Sequence, residues 1–339
     1  MTIYKMYENK EIKAIKSEKF NSFFNKETGF AATWGKNKED NPPYSPVGPL
    51  IADIEISEIC SRACAFCYKS NTSVGRNMTL DTFKKVFSKF PKALTQIAFG
   101  IGDIAGNPDL WKIMKYTRDN GVIPNITISG DNLSDEDAQK FCALCGAISV
   151  SNYDKDICYG AVKKLTDFGM KQCNIHQLTA LETYDQCLEV LEDSYTDERL
   201  KNLNAIVFLA LKQKGRGENL NPLPMKEFKY MVDLALEKEA RIGFDSCSSS
   251  KFLEAIKDRK DYDEFETFVE PCESTCFSIY VNVEGYVAPC SFLENLEGTP
   301  SINLLEVNDF LKDVWSDKGI RDFRNKLIKN CRNCPEYTI

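Results

Sequence analysis

The chain has 339 residues, 43% of them hydrophobic and 27% charged, with a net charge of −7. Those proportions suit a globular protein with room for one large α/β domain and a smaller companion. The acidic balance gives no general attraction to nucleic acid, and no apolar run reaches the roughly 20 residues of a membrane span. The opening MTIYKMYENKEIKAIKSEKF lacks the apolar core of a signal peptide, so a cytoplasmic address is expected. Fourteen cysteines in that setting point to metal ligation rather than disulfides.

Residues 1–50 read as an N-terminal extension ending in the turn-rich KNKEDNPPYSPVGP, whose prolines preclude helix or interior strand. Apolar strands are then predicted over 51–57, 95–99, 124–129, 147–151, 172–178, 204–211 and 241–245. Helical patterns lie between them, and Ser134-Asp-Glu-Asp137 and Thr179-Ala-Leu-Glu182 read as capping boxes. Cys142, Cys145, Cys158, Cys173 and Cys187 fall on these helices and strands and read as buried free thiols. A strand–helix repeat of about 25–35 residues implies parallel strands with right-handed crossovers, in an open doubly wound sheet or a barrel. Both place chemistry in the loops after the strand C-termini.

Just beyond the first of these strands comes Cys60-Ser-Arg-Ala-Cys64-Ala-Phe-Cys67. Its C-x3-C-x2-C spacing brings three thiolates to one site and supplies no fourth. A cubane held this way keeps one iron open for a small amine and carboxylate; a zinc ion completed by a distant ligand is the alternative. The motif resembles that of the radical S-adenosylmethionine (SAM) superfamily, where it follows the first strand of a partial (βα)6 TIM-type barrel. The resemblance implies that Cys60, Cys64 and Cys67 hold a SAM-binding [4Fe–4S] cluster and that Phe66 packs near the adenine. The segment FGIGDIAGNPDL (99–110) resembles the family's Gly-Gly-Glu-Pro region, with Ile101-Gly102-Asp103 where Gly-Gly-Glu would stand. Gly102 still permits close backbone approach, and Asp103 still offers an acceptor to the methionine ammonium. Ser129, Ser151, Asn152 and Gln177 stand where the family contacts ribose or the SAM carboxylate. His176, the only histidine, reads as a satisfied interior residue, and Lys212, Lys214 and Arg216 as a solvated strand end.

Toward the C-terminus, Cys272 and Cys290 enclose the alternating FSIYVNVEGYVAPC, a hairpin turning at Glu284-Gly285, and Cys331-Arg-Asn-Cys334 follows. A hairpin plus a C-x2-C can clamp one cubane or one zinc ion. The pattern resembles the twitch domain, the shortened SPASM domain behind many radical SAM barrels. The resemblance implies an auxiliary [4Fe–4S] cluster on Cys272, Cys290, Cys331 and Cys334 that passes electrons, with Cys276 as an alternative to Cys272. Cys247, past the strand RIGFD, could donate hydrogen to a substrate radical, ligate a cluster, or be a buried thiol.

The expected architecture is an extension (1–50), a core barrel (51–246) and a C-terminal hairpin-plus-helix cluster domain (247–339). The expected activity is reductive cleavage of SAM and hydrogen abstraction from a substrate, with oxidation or cross-linking of a peptide or protein. Dehydrogenation or epimerisation of a small molecule or peptide residue, with Cys247 as hydrogen donor, is the nearest alternative. A non-catalytic iron–sulfur or zinc regulator is a further one. The expected partners are the substrate and an electron donor such as flavodoxin or ferredoxin. The extension is too short for the winged-helix module that recognises leader peptides in many relatives.

Overall fold

A computed structural model describes residues 4–37, 40–337 and 339. The extension carries more order than its composition suggested. Strands β1 (Lys5–Glu8), β2 (Ile12–Lys16), β3 (Asn21–Asn25) and β4 (Ala31–Trp34) form an antiparallel sheet in sequence order. Short strands joined by tight turns make a weak sequence signal, and the prolines lie beyond β4. Ile15 and Phe20 pack with Phe277 and Leu327, which fastens this sheet to the C-terminal part of the chain.

All seven predicted strands form, as β5 (Ile51–Glu55), β6 (Gln96–Gly100), β7 (Ile123–Ile128), β8 (Ile148–Ser151), β9 (Cys173–Thr179), β10 (Ala205–Ala210) and β11 (Ile242–Phe244). They pair in parallel, each beside its predecessor. The crossovers are α1 (Leu80–Lys89), α2 (Leu110–Asp119), α3 (Asp135–Leu144), α4 (Lys155–Asp167), α5 (Tyr184–Thr196) and α6 (Met225–Glu237), giving six strand–helix units and a short seventh strand. α7 (Ser249–Ile256) and α8 (Tyr262–Phe268) follow. The hairpin β12 (Ser278–Val281) and β13 (Tyr286–Ala288) joins the same sheet, because β12 pairs in parallel with β5; β14 (Ile302–Asn303) extends it, and α9 (Lys318–Lys329) precedes the last cysteines. Gly285 turns the hairpin at φ +90°, a conformation that favours glycine.

Strand parity divides the sheet into two faces. Ala52, Ile54, Ile97, Phe99, Ile126, Ile128, Ile148, Val150, Ile175, Ile206 and Phe208 belong to one buried apolar core with the helices. Cys145, Cys158, Cys173 and Cys187 are buried there too, as expected, and Cys142 packs partly buried against it. On four strands the opposite parity is polar: Asp53 and Glu55 on β5, Asn125 and Thr127 on β7, Ser149 and Ser151 on β8, Asn174 and His176 on β9; β10 presents Val207 and Leu209 there. Ser134 caps α3 as predicted, accepting from Asp137 N at 3.0 Å. Thr179 does not cap α5. It ends β9 in register with Ala210 and donates to Leu209 O at 2.8 Å, so the local turn is held by Thr183, which accepts from Ala180 N at 3.1 Å.

No helix among the described residues is long and apolar enough to cross a membrane.

Candidate functional site

The first cysteine loop leaves the C-terminal end of β5 and is tied down at its base. Cys60 N donates to Thr72 O at 2.6 Å and Glu58 N to Arg76 O at 3.0 Å. Within the loop, Cys67 N reaches Cys64 O at 3.2 Å, and Ala63 takes a left-handed turn at φ +44°. The turn after β6 locks onto this loop. Asp103 N donates to Ile59 O at 3.0 Å, and Asp103 Oδ2 accepts from Ser61 N at 2.8 Å. A Cβ on Gly102 would stand 2.8 Å from Cys60 Cα, and closer still to Cys60 Cβ and the Ile59 carbonyl. Gly102 and Asp103 therefore position the cysteine loop, and one oxygen of Asp103 is already engaged by the backbone.

Cys60, Cys64 and Cys67 are all half-buried. Burial pushes the Cys64 thiol up; Arg62 opposes this, and the neighbouring Cys60 and Cys67 add to the rise. Phe66 lies 5.1 Å, ring to ring, from Tyr153 beyond β8. Arg62 lies over the Tyr153 ring at 5.4 Å, and one of its terminal nitrogens donates to both carboxylate oxygens of Asp131, at 2.6 and 2.8 Å. Ser129 accepts from Asp131 N at 3.3 Å. Ser151 neighbours the Tyr153 phenol, which burial pushes up and Ser151 pulls back. Phe66, Ser129 and Ser151 thus gather around the cysteine loop with Tyr153, Arg62 and Asp131, three residues the sequence reading passed over.

Gln177 is elsewhere. It has the parity of Cys173 and Ile175, is 1% exposed, accepts from Asn152 Nδ2 at 2.8 Å, and touches the Cys187 thiol on α5. It faces the helix layer, and Asn152 is drawn to it. His176 has the inward parity, with Nδ1 3.4 Å from Thr127 Oγ1, and burial takes it down to about 4 despite the nearby Asp245 carboxylate.

The segment after β10 is no solvated strand end. Lys214 donates to Ser291 O at 3.3 Å and Glu294 O at 2.9 Å, while Arg216 donates to Cys64 O at 2.7 Å and Asn71 O at 2.9 Å. Gly215, at φ +57°, lies so close that a Cβ would meet Tyr68 O at 2.5 Å. The basic side chains turn inward to donate to carbonyls of two irregular loops, where no regular ladder pairs the backbone. A second tie is the buried group Glu55, Lys69, Tyr280, Glu294 and Asn282. Lys69 pairs with Glu294 and, at 3.1 Å, with Glu55; Tyr280 donates to Glu55 at 3.0 Å, and Asn282 to Glu294 at 2.9 Å. Burial pushes Glu55 up against the pull of Lys69, whereas at Glu294 burial is outweighed by Lys69, Asn282 and Tyr280, which hold it down.

The C-terminal cysteines divide. Cys276 is fully buried among Ile15, Phe20, Phe277 and Leu327. Cys331 is exposed, whereas Cys272, Cys290 and Cys334 are half-buried. Cys272 O accepts from Arg332 Nε at 2.9 Å, which brings the C-x2-C segment to Cys272. Burial takes the Cys290 thiol up to about 12, with Cys247 and Cys334 adding to it. Contact with Cys272, then burial, pushes the Cys247 thiol up strongly.

Among the described residues no three His, Cys, Asp or Glu side chains are gathered tightly enough to hold a metal ion. Thiolates around one zinc ion would sit within about 4 Å of one another. A cubane spreads its ligands more widely, and all-thiol donor sets on partly buried loops suit it.

Residues 272–335 match the SPASM family, an iron–sulfur cluster-binding domain. Among curated proteins there is no significant match. Among solved structures, the chain is similar to Streptococcus suis SuiB bound to S-adenosylmethionine, with TM-score 0.63 and 14% identity over 82% of this chain and 68% of that one. SuiB bound to the precursor peptide SuiA gives 0.64 and 15%, over 82% and 67%. Native anSMEcpe with bound AdoMet and the Cp18Cys peptide gives 0.61 and 16%, over 85% and 86%.

Proposed function

We propose that this chain, which has the fold of radical SAM enzymes and a SPASM iron–sulfur domain at residues 272–335, oxidises or cross-links a peptide or protein substrate. In this reading Cys60, Cys64 and Cys67 hold a [4Fe–4S] cluster that binds SAM, and the C-terminal cysteines hold a second one. The observation that carries it is the three-thiol loop at the C-terminal end of β5, clamped by the Gly102-Asp103 turn and facing a polar sheet surface. When bound, the first cluster supplies the electron that splits SAM into methionine and a hydrogen-abstracting 5′-deoxyadenosyl radical.

The chain's own residues orient and shield. Phe66 and Tyr153, with rings tilted 54° to one another, offer aromatic surface for adenine, and Ser129 and Ser151 lie at the ends of β7 and β8 beside them. Burial keeps the His176 imidazole neutral at neutral pH, so it serves as a hydrogen-bonding group beside Thr127 rather than as a strong base. Removing a hydrogen atom and then one electron and one proton oxidises the substrate by two electrons. Cys272, Cys290 and Cys334 would be among the residues holding the second cluster, which would take up that electron, with the proton released to solvent; a flavodoxin- or ferredoxin-type donor would supply the electron spent on SAM. The peptide class is favoured because SuiB with its precursor peptide and anSMEcpe with the Cp18Cys peptide share this fold.

Deuterium transfer from labelled candidate peptides into 5′-deoxyadenosine tests the substrate class. Transfer from a sugar or nucleotide and from no peptide would overturn it in favour of small-molecule dehydrogenation or epimerisation.

A further inference from the structure

We propose that Cys247, which lies outside the matched iron–sulfur domain, is a ligand of the auxiliary cluster, completing a four-thiolate site with Cys272, Cys290 and Cys334 and leaving Cys331 out. This rests on the reading that the C-terminal cysteines hold a cluster, and it assigns the ligands.

Cys247 sits in the short 3-10 turn Ser246–Ser248 that follows β11, and Asp245 caps that turn by accepting from Ser248 N at 3.2 Å. The barrel thus presents the sulfur from its last strand end. Its surroundings come from the other side of the sequence. The Cys247 thiol neighbours Cys272 and the Lys212 ammonium. Lys212, 6% exposed, also pairs with Asp245 and stands 4.8 Å from the centre of the Phe292 ring, two residues beyond Cys290. Tyr337 closes the group: its N–H donates to Cys334 Sγ at 3.4 Å and its phenol to Phe292 O at 2.9 Å.

Cys331 stands apart. It is the exposed member of the set, and both it and Arg332 adopt left-handed conformations, φ +52° and +60°. This double turn directs the Arg332 side chain back to Pro271 O at 2.7 Å and Cys272 O at 2.9 Å, delivering Cys334 to the other thiols while Cys331 remains outside. Cys247, Cys272, Cys290 and Cys334 are four half-buried cysteines without a disulfide, a donor set that iron can deprotonate together. The Lys212 ammonium beside one sulfur balances the negative charge of a four-thiolate cubane, and a donor hydrogen-bonded to a ligating sulfur favours its reduced state. That is the direction required of an electron acceptor.

The test uses the full chain with Cys60, Cys64 and Cys67 all changed to Ala, which isolates the auxiliary site. After anaerobic reconstitution this parent should carry about four irons per chain and a low-temperature EPR signal on reduction. Adding Cys247→Ala should remove the iron or leave a three-iron signal, and Cys247→His, which can still ligate, should keep iron with shifted g values. Adding Cys331→Ala should change neither iron nor spectrum. Retention of about four irons and the parent spectrum by Cys247→Ala would overturn the assignment, as would cluster loss in Cys331→Ala. If Cys247→Ala in the otherwise native enzyme keeps both clusters but alters the product's stereochemistry, Cys247 is a hydrogen donor and the assignment is wrong. A parent that binds no iron at all would refute the auxiliary cluster itself.

Discussion

Replacing Gly102 with Ala tests the clamp on the cysteine loop. The added Cβ would lie 2.8 Å from Cys60 Cα and closer to two further atoms, one of them the Ile59 carbonyl. Carbon atoms pack at roughly 3.5–4.0 Å, so the turn and the loop must separate by about 1 Å. The obstructing atoms are mainly backbone, which cannot swing away as a side chain would, and overpacking of this kind costs about 1–3 kcal/mol. The larger effect falls on chemistry. A displacement of about 1 Å at reacting groups costs on the order of 100-fold in rate. Anaerobically reconstituted Gly102→Ala should therefore show depleted iron at the first site, a broadened EPR signal, and roughly 100-fold less 5′-deoxyadenosine per minute. Native iron content, spectrum and rate in this variant would refute the clamp.

Gly160, inside α4, has nothing within 4 Å of a built Cβ, so Gly160→Ala should raise apo-protein stability by about 0.5–1 kcal/mol in urea denaturation. Lys69→Met should cost about 3–5 kcal/mol in the same assay, because Glu55 and Glu294 lose the cation between them; adding Glu294→Gln should recover part of the loss. His176 has a folded pKa of about 4, below its usual 6.5. The unfolded chain therefore binds a proton that the folded chain does not as pH falls through that window, and stability declines by about 2 kcal/mol between pH 7.5 and pH 5. His176→Gln should remove that slope, as urea midpoints at the two pH values would show.

The strands and the first cysteine loop were legible because both are local patterns: β-branched runs repeating at even intervals, and three cysteines within eight residues. Side-chain direction was partly legible. In QCNIHQL, Cys173 and Ile175 are core residues, and their parity places Gln177 with them and His176 on the opposite face, which the assignment of Gln177 to the cofactor ignored. The binding of Lys214 and Arg216 to loop carbonyls was not legible, because the partners lie 77 to 152 residues away. The Tyr153–Arg62–Asp131 wall was hidden for the same reason, being assembled from three different loops. Likewise, no spacing rule joins Cys247 to Cys272; only the approach of the β11 end to the C-terminal hairpin does.

The most direct measurement is 5′-deoxyadenosine formation by the anaerobically reconstituted chain with SAM and dithionite, alongside iron, sulfide and zinc analysis. The expected result is about eight irons per chain, with 5′-deoxyadenosine produced by the native chain and abolished when Cys60, Cys64 and Cys67 are changed to Ala. A protein that retains zinc instead of iron and sulfide, and leaves SAM intact, would contradict the radical chemistry.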